Sequence, residues 1–269
     1  MAENFVTAVI LTFLAGASTG LGGAIAFFVR QATPRFLAAS LGFSAGVMLY
    51  VSFVEILDKS KENLQDLYEP QIASLAAVLA FFGGIALIAL IDWLVPAYEN
   101  PHEIHHIEDI GTQEHAVKYA GLLRMGLFTA LAIAMHNFPE GLATFTASLS
   151  DPLLGLPIAV AIAIHNIPEG IAIFVPLYYA TGSRKKAFLF SGLSGMAEPI
   201  GGLAGFALFQ PFGVEIMFGF VFAAVAGIMV YISLDELLPT AEEYGRHHLA
   251  ITSLLLGMAV MASSLVLFA

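Results

Sequence analysis

The hydrophobic positions of this chain fall into eight long apolar segments that are separated by short polar stretches. A helix needs about 20 residues to cross the ~30 Å hydrocarbon core of a bilayer, and each segment is at least that long. The pattern therefore predicts an all-α polytopic membrane protein with eight transmembrane helices, called spans 1 to 8. Their predicted bounds are residues 5–29, 36–57, 72–95, 123–149, 154–179, 186–209, 213–236 and 249–268.

The composition excludes most other classes of protein. Hydrophobic residues make up 58% of the 269 positions, whereas charged residues make up 12%. A soluble domain carries about 25% charged residues, so an ordinary soluble enzyme is excluded, and the apolar content excludes a disordered chain. The absence of cysteine excludes disulfides and thiolate metal sites. The net charge of −11 comes without a basic patch, so we expect the lipid bilayer, and no nucleic acid, as a partner.

The positions of lysine and arginine predict the orientation of the chain. Eight of the ten basic residues lie in or beside the loops that follow spans 1, 3, 5 and 7, and the other two are Lys59 and Lys61. Loops rich in basic residues stay in the cytoplasm. Both termini are therefore expected to be extracytoplasmic, in a multi-pass protein of the cell membrane.

The chain is predicted to form a single transmembrane domain over residues 1–269. Its longest loop, residues 96–122, is expected to be cytoplasmic and holds four histidines, which are His102, His105, His106 and His115. Two interpretations of this loop remain open. Either it binds released cations weakly, or it is an ordinary solvated loop.

The chain also repeats part of its own sequence. Residues 45–57 match residues 226–238 at seven of thirteen positions, an offset of 181, and residues 14–27 match residues 193–206 more weakly at an offset of 179. The two copies begin an odd number of spans apart, so they must run in opposite directions through the membrane. The sequence therefore predicts an inverted repeat of spans 1–3 and 6–8 around spans 4 and 5, which is typical of secondary transporters.

Spans 4 and 5 carry the same polar motif near their midpoints. Residues 136–141 read HNFPEG and residues 165–170 read HNIPEG, and span 6 adds Glu198, whose repeat counterpart in span 1 is Thr19. Each ionisable group at this depth costs several kcal/mol unless it is paired. Imidazole nitrogens and carboxylate oxygens suit Zn²⁺ and Fe²⁺, and amide oxygens add harder ligands. The candidate metal ligands are His136, Asn137, Glu140, His165, Asn166, Glu169 and Glu198.

Each motif contains a proline in the middle of a helix. Pro139 has no amide hydrogen for the carbonyl of Met135, and Pro168 has none for that of Ile164. We expect a kink at both places, with a carbonyl exposed to a cavity or a partner.

Taken together, these features resemble the ZIP (Zrt/Irt-like) metal transporters, and among them the bacterial zinc-uptake type. The resemblance covers nearly the whole chain and rests mainly on the doubled HNxPEG motif. It implies a binuclear site in which His165, Glu140 and Glu169 hold one cation with His136. Asn137, Glu140, Asn166, Glu169 and Glu198 would hold the second. It also implies inward transport of Zn²⁺, Fe²⁺, Mn²⁺, Co²⁺ and Cd²⁺, dimerisation, and movement of spans 1, 4, 5 and 6 against spans 2, 3, 7 and 8.

The sequence thus favours a transporter that takes up divalent cations, chiefly zinc, by alternating access at a site in the middle of the membrane. The alternative is an intramembrane metal-dependent hydrolase, since two bridged metals can activate water. No HExxH motif lies within the predicted spans, and no nucleophile stands out beside a base, so we expect no enzymatic activity and no catalytic cofactor. A channel is the third interpretation.

Overall fold

The computed structural model describes residues 2–28, 34–94, 115–209, 217–244 and 247–268, which are helical apart from short turns. These ranges contain no β-strand. The prediction of an all-α polytopic membrane protein is confirmed. The helices comprise Ala2–Phe28, Pro34–Val51, Leu57–Gln65, Pro70–Leu94, His115–Ser150, Pro152–Thr181, Arg184–Gly195, Ala197–Phe209, Phe222–Ile232, Leu238–Tyr244 and His247–Phe268.

Six helical stretches among the described residues are long and apolar enough to cross a membrane. They correspond to predicted spans 1, 2, 3, 5, 7 and 8. Spans 4 and 6 are helical as well, but their helices differ from the prediction. The six stretches are Asn4–Phe28, Arg35–Gln65, Pro70–Trp93, Pro152–Val175, Gly219–Tyr244 and His247–Leu267.

Span 4 begins earlier than predicted. Its helix starts at His115, not at residue 123, so the last eight residues of the predicted loop 96–122 are helical. The prediction placed the start at the first apolar run, but a helix can continue into water where good helix formers follow one another. Residues 95–114, with the other three loop histidines, lie outside the described residues.

Span 6 is interrupted in the middle. The helix Arg184–Gly195 ends before Met196, whose amide donates to the carbonyl of Leu193, and a second helix, Ala197–Phe209, follows. Pro199 contributes to the break, because it has no amide hydrogen to donate to the carbonyl of Gly195. The interruption places Glu198 in the first turn of the new helix, where the helix dipole favours a carboxylate.

The other two mid-span prolines do not interrupt their helices. The helix His115–Ser150 continues past Pro139, and the helix Pro152–Thr181 continues past Pro168. Spans 4 and 5 therefore keep one helix each, and the kinks expected at Pro139 and Pro168 stay predictions.

The spans pack into two groups. Span 1 packs along span 5, span 4 packs against spans 5 and 6, and span 6 packs against span 1. Span 2 packs against spans 8 and 7, and span 7 packs against span 3. We call these the 1-4-5-6 group and the 2-3-7-8 group. They meet mainly where span 2 packs against span 5.

Close backbone contacts in the 2-3-7-8 group recur at the spacing of the sequence repeat. Gly46 of span 2 faces the carbonyl of Leu254 on span 8, and Gly227 of span 7 faces the carbonyl of Phe81 on span 3. Gly46 and Gly227 are 181 residues apart, which is the offset of the sequence match. A Cβ at either glycine would overlap the facing oxygen, so a small residue is what allows these helices to approach.

The 1-4-5-6 group shows the same recurrence. Gly22 of span 1 faces the carbonyl of Ile167 on span 5, and Gly201 of span 6 faces the carbonyl of Phe138 on span 4. The two glycines are 179 residues apart, and the two carbonyls hold the same place in the two HNxPEG motifs. The contacts of one half of the chain therefore have counterparts in the other half.

Spans 2 and 7 share one more local feature. Span 2 contains a π-helical turn at Ser52–Ile56, and span 7 contains two, at Met217–Val221 and Ser233–Leu237. The second turn of span 7 begins 181 residues after the turn of span 2. A π-helical turn inserts one residue into a helix and is common at functional sites. Residues 52–56 and 233–237 therefore share a π-helical backbone within the matched sequence segments.

Candidate metal centre

The two motifs and the interruption of span 6 meet inside the 1-4-5-6 group. Six of the seven predicted ligands have described side chains, and all six are fully buried. They are Asn137, Glu140, His165, Asn166, Glu169 and Glu198. The backbone of His136 is part of the span 4 helix, and its side chain lies outside the described part of the structure.

The two motifs contact each other directly through an imidazole and a carboxylate. The Nε2 atom of His165 on span 5 lies 3.1 Å from Oε2 of Glu140 on span 4, and both side chains are fully buried. Imidazole and carboxylate are both ligands of zinc. The structure therefore brings together two of the predicted ligands of the first cation, one from each helix.

The asparagines of the motifs connect them to spans 1 and 6. Nδ2 of Asn166 donates to the carbonyl oxygen of Ala15, at 3.0 Å, and to Oε1 of Glu198. Nδ2 of Asn137 lies 3.5 Å from Oγ1 of Thr19, the repeat counterpart of Glu198. The same contact is thus made twice, once with a carboxylate and once with a hydroxyl. The two equivalent contacts therefore differ chemically.

Span 2 adds a residue that no sequence motif predicted. Oγ of Ser44, which is fully buried, donates to Oε1 of Glu169 at 3.0 Å and lies 3.5 Å from the carbonyl oxygen of His165. A single serine in an apolar span belongs to no motif, so no sequence pattern indicated it. Only the packing of span 2 against span 5 makes it part of the site.

Several buried oxygens at this site have no hydrogen-bond partner among the described residues. They are Oδ1 of Asn137, Oε1 of Glu140, Oδ1 of Asn166 and Oε2 of Glu198. A buried polar atom without a partner costs about 1–3 kcal/mol, and more if it is charged. Carboxylate and amide oxygens are cation ligands, so a cation bound by these four oxygens would remove this cost.

The side chains are held by one another as well. Within the part of the chain that the structure describes, no three histidine, aspartate or glutamate side chains converge closely enough to hold a metal ion. Cation binding would therefore exchange the contacts between Glu140 and His165 and between Asn166 and Glu198 for metal bonds. Amide oxygens would have to contribute alongside the carboxylates.

Comparison with known proteins identifies the family. The sequence profile of the ZIP zinc transporters matches residues 3–92 and 97–264. The zinc transporter ZupT of Chlorobaculum parvum is 60% identical over 268 residues, which is 100% of both chains. Its namesakes from Nitratidesulfovibrio vulgaris and Clostridium perfringens are 58% and 52% identical, over 98% and 99% of this chain and 98% and 97% of their own. As the tandem motifs indicated, the chain belongs to the ZIP zinc transporter family.

Proposed function

We propose that this protein transports zinc across the cell membrane into the cytoplasm. The observation that carries the proposal is the set of buried oxygens that have no hydrogen-bond partner among the described residues, which lies where spans 4, 5 and 6 meet. The relatives named as zinc transporters support zinc as the cargo. Transport also explains why a membrane protein keeps so many costly polar groups at one depth.

The ligand types support a borderline divalent cation as the substrate. Imidazole, carboxylate and amide together suit Zn²⁺, and they also accept Fe²⁺, Mn²⁺, Co²⁺ and Cd²⁺. We propose that zinc is carried preferentially and that these other cations compete with it. The protein in this proposal has no catalytic role and no resident cofactor.

We further propose that the site holds two cations. His165, Glu140 and Glu169, with His136, would bind one. Glu198 and the two motif asparagines would bind the second together with the same two glutamates as bridges. The measurement is the zinc content of the purified protein at equilibrium, which should approach two ions per chain and fall to about one in Glu198→Gln.

The mechanism we propose is alternating access by an inverted repeat. Spans 1–3 and spans 6–8 would form the two copies of the repeat, and the site would lie where the two copies meet. The recurring glycine contacts and π-helical turns support this arrangement, because they match at the offsets of the sequence repeat. The 1-4-5-6 group, which holds the site, would then move against the 2-3-7-8 group.

Uptake by proteoliposomes tests the proposed function. Protein reconstituted with a zinc-sensitive dye inside the vesicles should show saturable zinc uptake that Cd²⁺, Fe²⁺, Mn²⁺ and Co²⁺ reduce in competition. Saturation at low flux distinguishes a transporter from a channel, which conducts far faster. Hydrolysis of a peptide or ester substrate without any zinc flux would instead support an intramembrane hydrolase.

The predicted orientation can be tested separately, because the chain has no cysteine of its own. We propose that both termini, Lys61 and the loop after span 4 are extracytoplasmic, and that the loop within residues 96–122 is cytoplasmic. In intact cells a membrane-impermeant maleimide should label Lys61→Cys and should leave Lys185→Cys unlabelled until the membrane is opened. The reverse pattern would refute the orientation.

We also propose that the protein forms a homodimer in the membrane. The lipid-facing sides of spans 1, 3 and 8 expose many large apolar residues, such as Leu79, Trp93 and Leu267. An apolar surface in the membrane can contact lipid or a second copy of the chain equally well, so the oligomeric state must be measured directly. Mass photometry of the detergent-solubilised protein should give twice the mass of one chain.

A further inference from the structure

Ser44 connects the two groups of spans at a predicted metal ligand. It lies on span 2 in the 2-3-7-8 group, and its hydroxyl donates to Oε1 of Glu169 on span 5 in the 1-4-5-6 group, at 3.0 Å. Both side chains are fully buried. A hydrogen bond to a carboxylate in such a setting is stronger than a neutral one. This bond therefore links the 2-3-7-8 group to a residue that a cation would bind.

Three other side-chain hydrogen bonds between spans each stay within one group. Ser191 of span 6 donates to the carbonyl of Thr19 on span 1, at 3.0 Å. Ser60 of span 2 donates to the carbonyl of Gly219 on span 7, at 2.6 Å, and Tyr231 of span 7 donates to Asp92 of span 3, at 3.4 Å. These bonds hold each group together. The bond of Ser44 differs from these three because it crosses from one group to the other.

The hydroxyl of Ser44 has two acceptors but a single hydrogen. The nearer acceptor is the carboxylate of Glu169, at 3.0 Å, and the farther is the carbonyl oxygen of His165, at 3.5 Å. A hydroxyl can donate only one strong bond at a time. A cation on Glu169 would draw electron density from its carboxylate and weaken it as an acceptor, and the hydroxyl would then turn to the carbonyl of His165.

The connection exists on one side of the repeat only. The offset of 181 pairs Ser44 with Val225, a buried residue that cannot donate a hydrogen bond. The equivalent glutamate of the other motif is Glu140, and its Oε1 has no hydrogen-bond partner among the described residues. The two glutamates are therefore held differently. Glu169 accepts a hydrogen bond from Ser44, whereas Val225, which corresponds to Ser44 in the other repeat, has only an alkyl side chain.

We propose that Ser44 is a positioning residue that makes the fit between the two groups depend on the cation. Its bond to Glu169 stabilises one register of the groups while Glu169 is free of metal, and cation binding at Glu169 weakens that bond and releases the groups. This proposal rests on the proposed function, since it needs both a cation at Glu169 and a movement of the groups. Ser44 touches a metal ligand and binds no metal itself.

Distances between spin labels on pairs of introduced cysteines test the proposal in the otherwise cysteine-free chain. Asp66→Cys with Leu153→Cys reports between the groups, because Asp66 follows span 2 and Leu153 begins span 5, and both residues are exposed. Val6→Cys with Leu153→Cys reports within the 1-4-5-6 group, and Val6 is 61% exposed. Each pair is measured in full-length protein, in nanodiscs, over a range of zinc concentrations.

The expected results separate the hydroxyl from the rest of the site. In Ser44→Ala, the zinc concentration that gives half of the intergroup distance change should fall about fivefold, the factor of a typical hydrogen bond. Ser44→Thr keeps the hydroxyl and should behave like the wild type. Val225→Thr adds a hydroxyl on the other side and should raise that concentration. The distance within the 1-4-5-6 group should not change in any variant.

The possible failures are distinguishable. If zinc does not change the intergroup distance in the wild type, the proposed movement of the groups is wrong. If zinc changes it equally in the wild type and in Ser44→Ala, the inference about Ser44 is wrong and the proposed function stands. If Ser44→Ala does not fold, the Val225→Thr result decides, and an unchanged zinc dependence there overturns the inference.

Discussion

Glu140→Gln and Glu169→Gln are each expected to reduce zinc uptake by at least about 100-fold while leaving the protein folded. Both glutamates are fully buried and belong to the two motifs on spans 4 and 5. Glutamine has the same shape but lacks the negative charge that balances a divalent cation. The folded protein should tolerate the change, because a buried carboxylate costs more free energy than a buried amide. The measurement is the initial rate of zinc uptake into proteoliposomes.

The matched control for these variants is Glu62→Gln. Glu62 is an exposed glutamate whose bond to Lys59, at 2.9 Å, is a surface ion pair worth at most about 1 kcal/mol. Glu62→Gln makes the same chemical change outside the site, so the uptake rate of this variant should equal that of the wild type. Normal uptake by both Glu140→Gln and Glu169→Gln would mean that the cation is carried elsewhere in the molecule.

Much of the fold could be predicted because the membrane imposes a simple length rule. A span must be apolar over about 20 residues, so hydrophobic runs locate the helices even without knowledge of their packing. The rule fails at ends that leave the hydrocarbon, which is why the predicted start of span 4 missed His115. The length rule also does not detect a break inside an apolar run, which is why the interruption at Met196 was not predicted.

The residues of the candidate site could likewise be predicted only in part. The motif residues could be predicted because ionisable groups at mid-span are costly, and their cost indicates a function. The structure places Glu140 beside His165, as the matched motifs suggested. Ser44 could not be predicted, because one hydroxyl in an apolar helix has no cost that indicates a partner. Its proposed role rests on the tertiary contact between spans 2 and 5.

Gly141→Ala is expected to destabilise the protein and to impair transport. Gly141 directly follows the motif glutamate on span 4, and a Cβ there would overlap the backbone of Glu198 on span 6. The overlap involves backbone and not a flexible side chain, so the two helices must separate. Overpacking of this kind typically lowers the free energy of unfolding by about 1–3 kcal/mol. It would also move Glu198 away from Asn166, and zinc uptake should fall with it.

Gly192→Ala provides the comparison that isolates this contact. Gly192 also lies in span 6, but a Cβ at that position would have no heavy atom within 4 Å. Alanine favours a helix over glycine by about 1 kcal/mol, so Gly192→Ala should unfold at the same temperature as the wild type or at a higher one. Thermal unfolding in detergent and zinc uptake are measured for both variants. Equal behaviour of Gly141→Ala and Gly192→Ala would show that spans 4 and 6 are not in backbone contact at Glu198, and the site would then need a different arrangement.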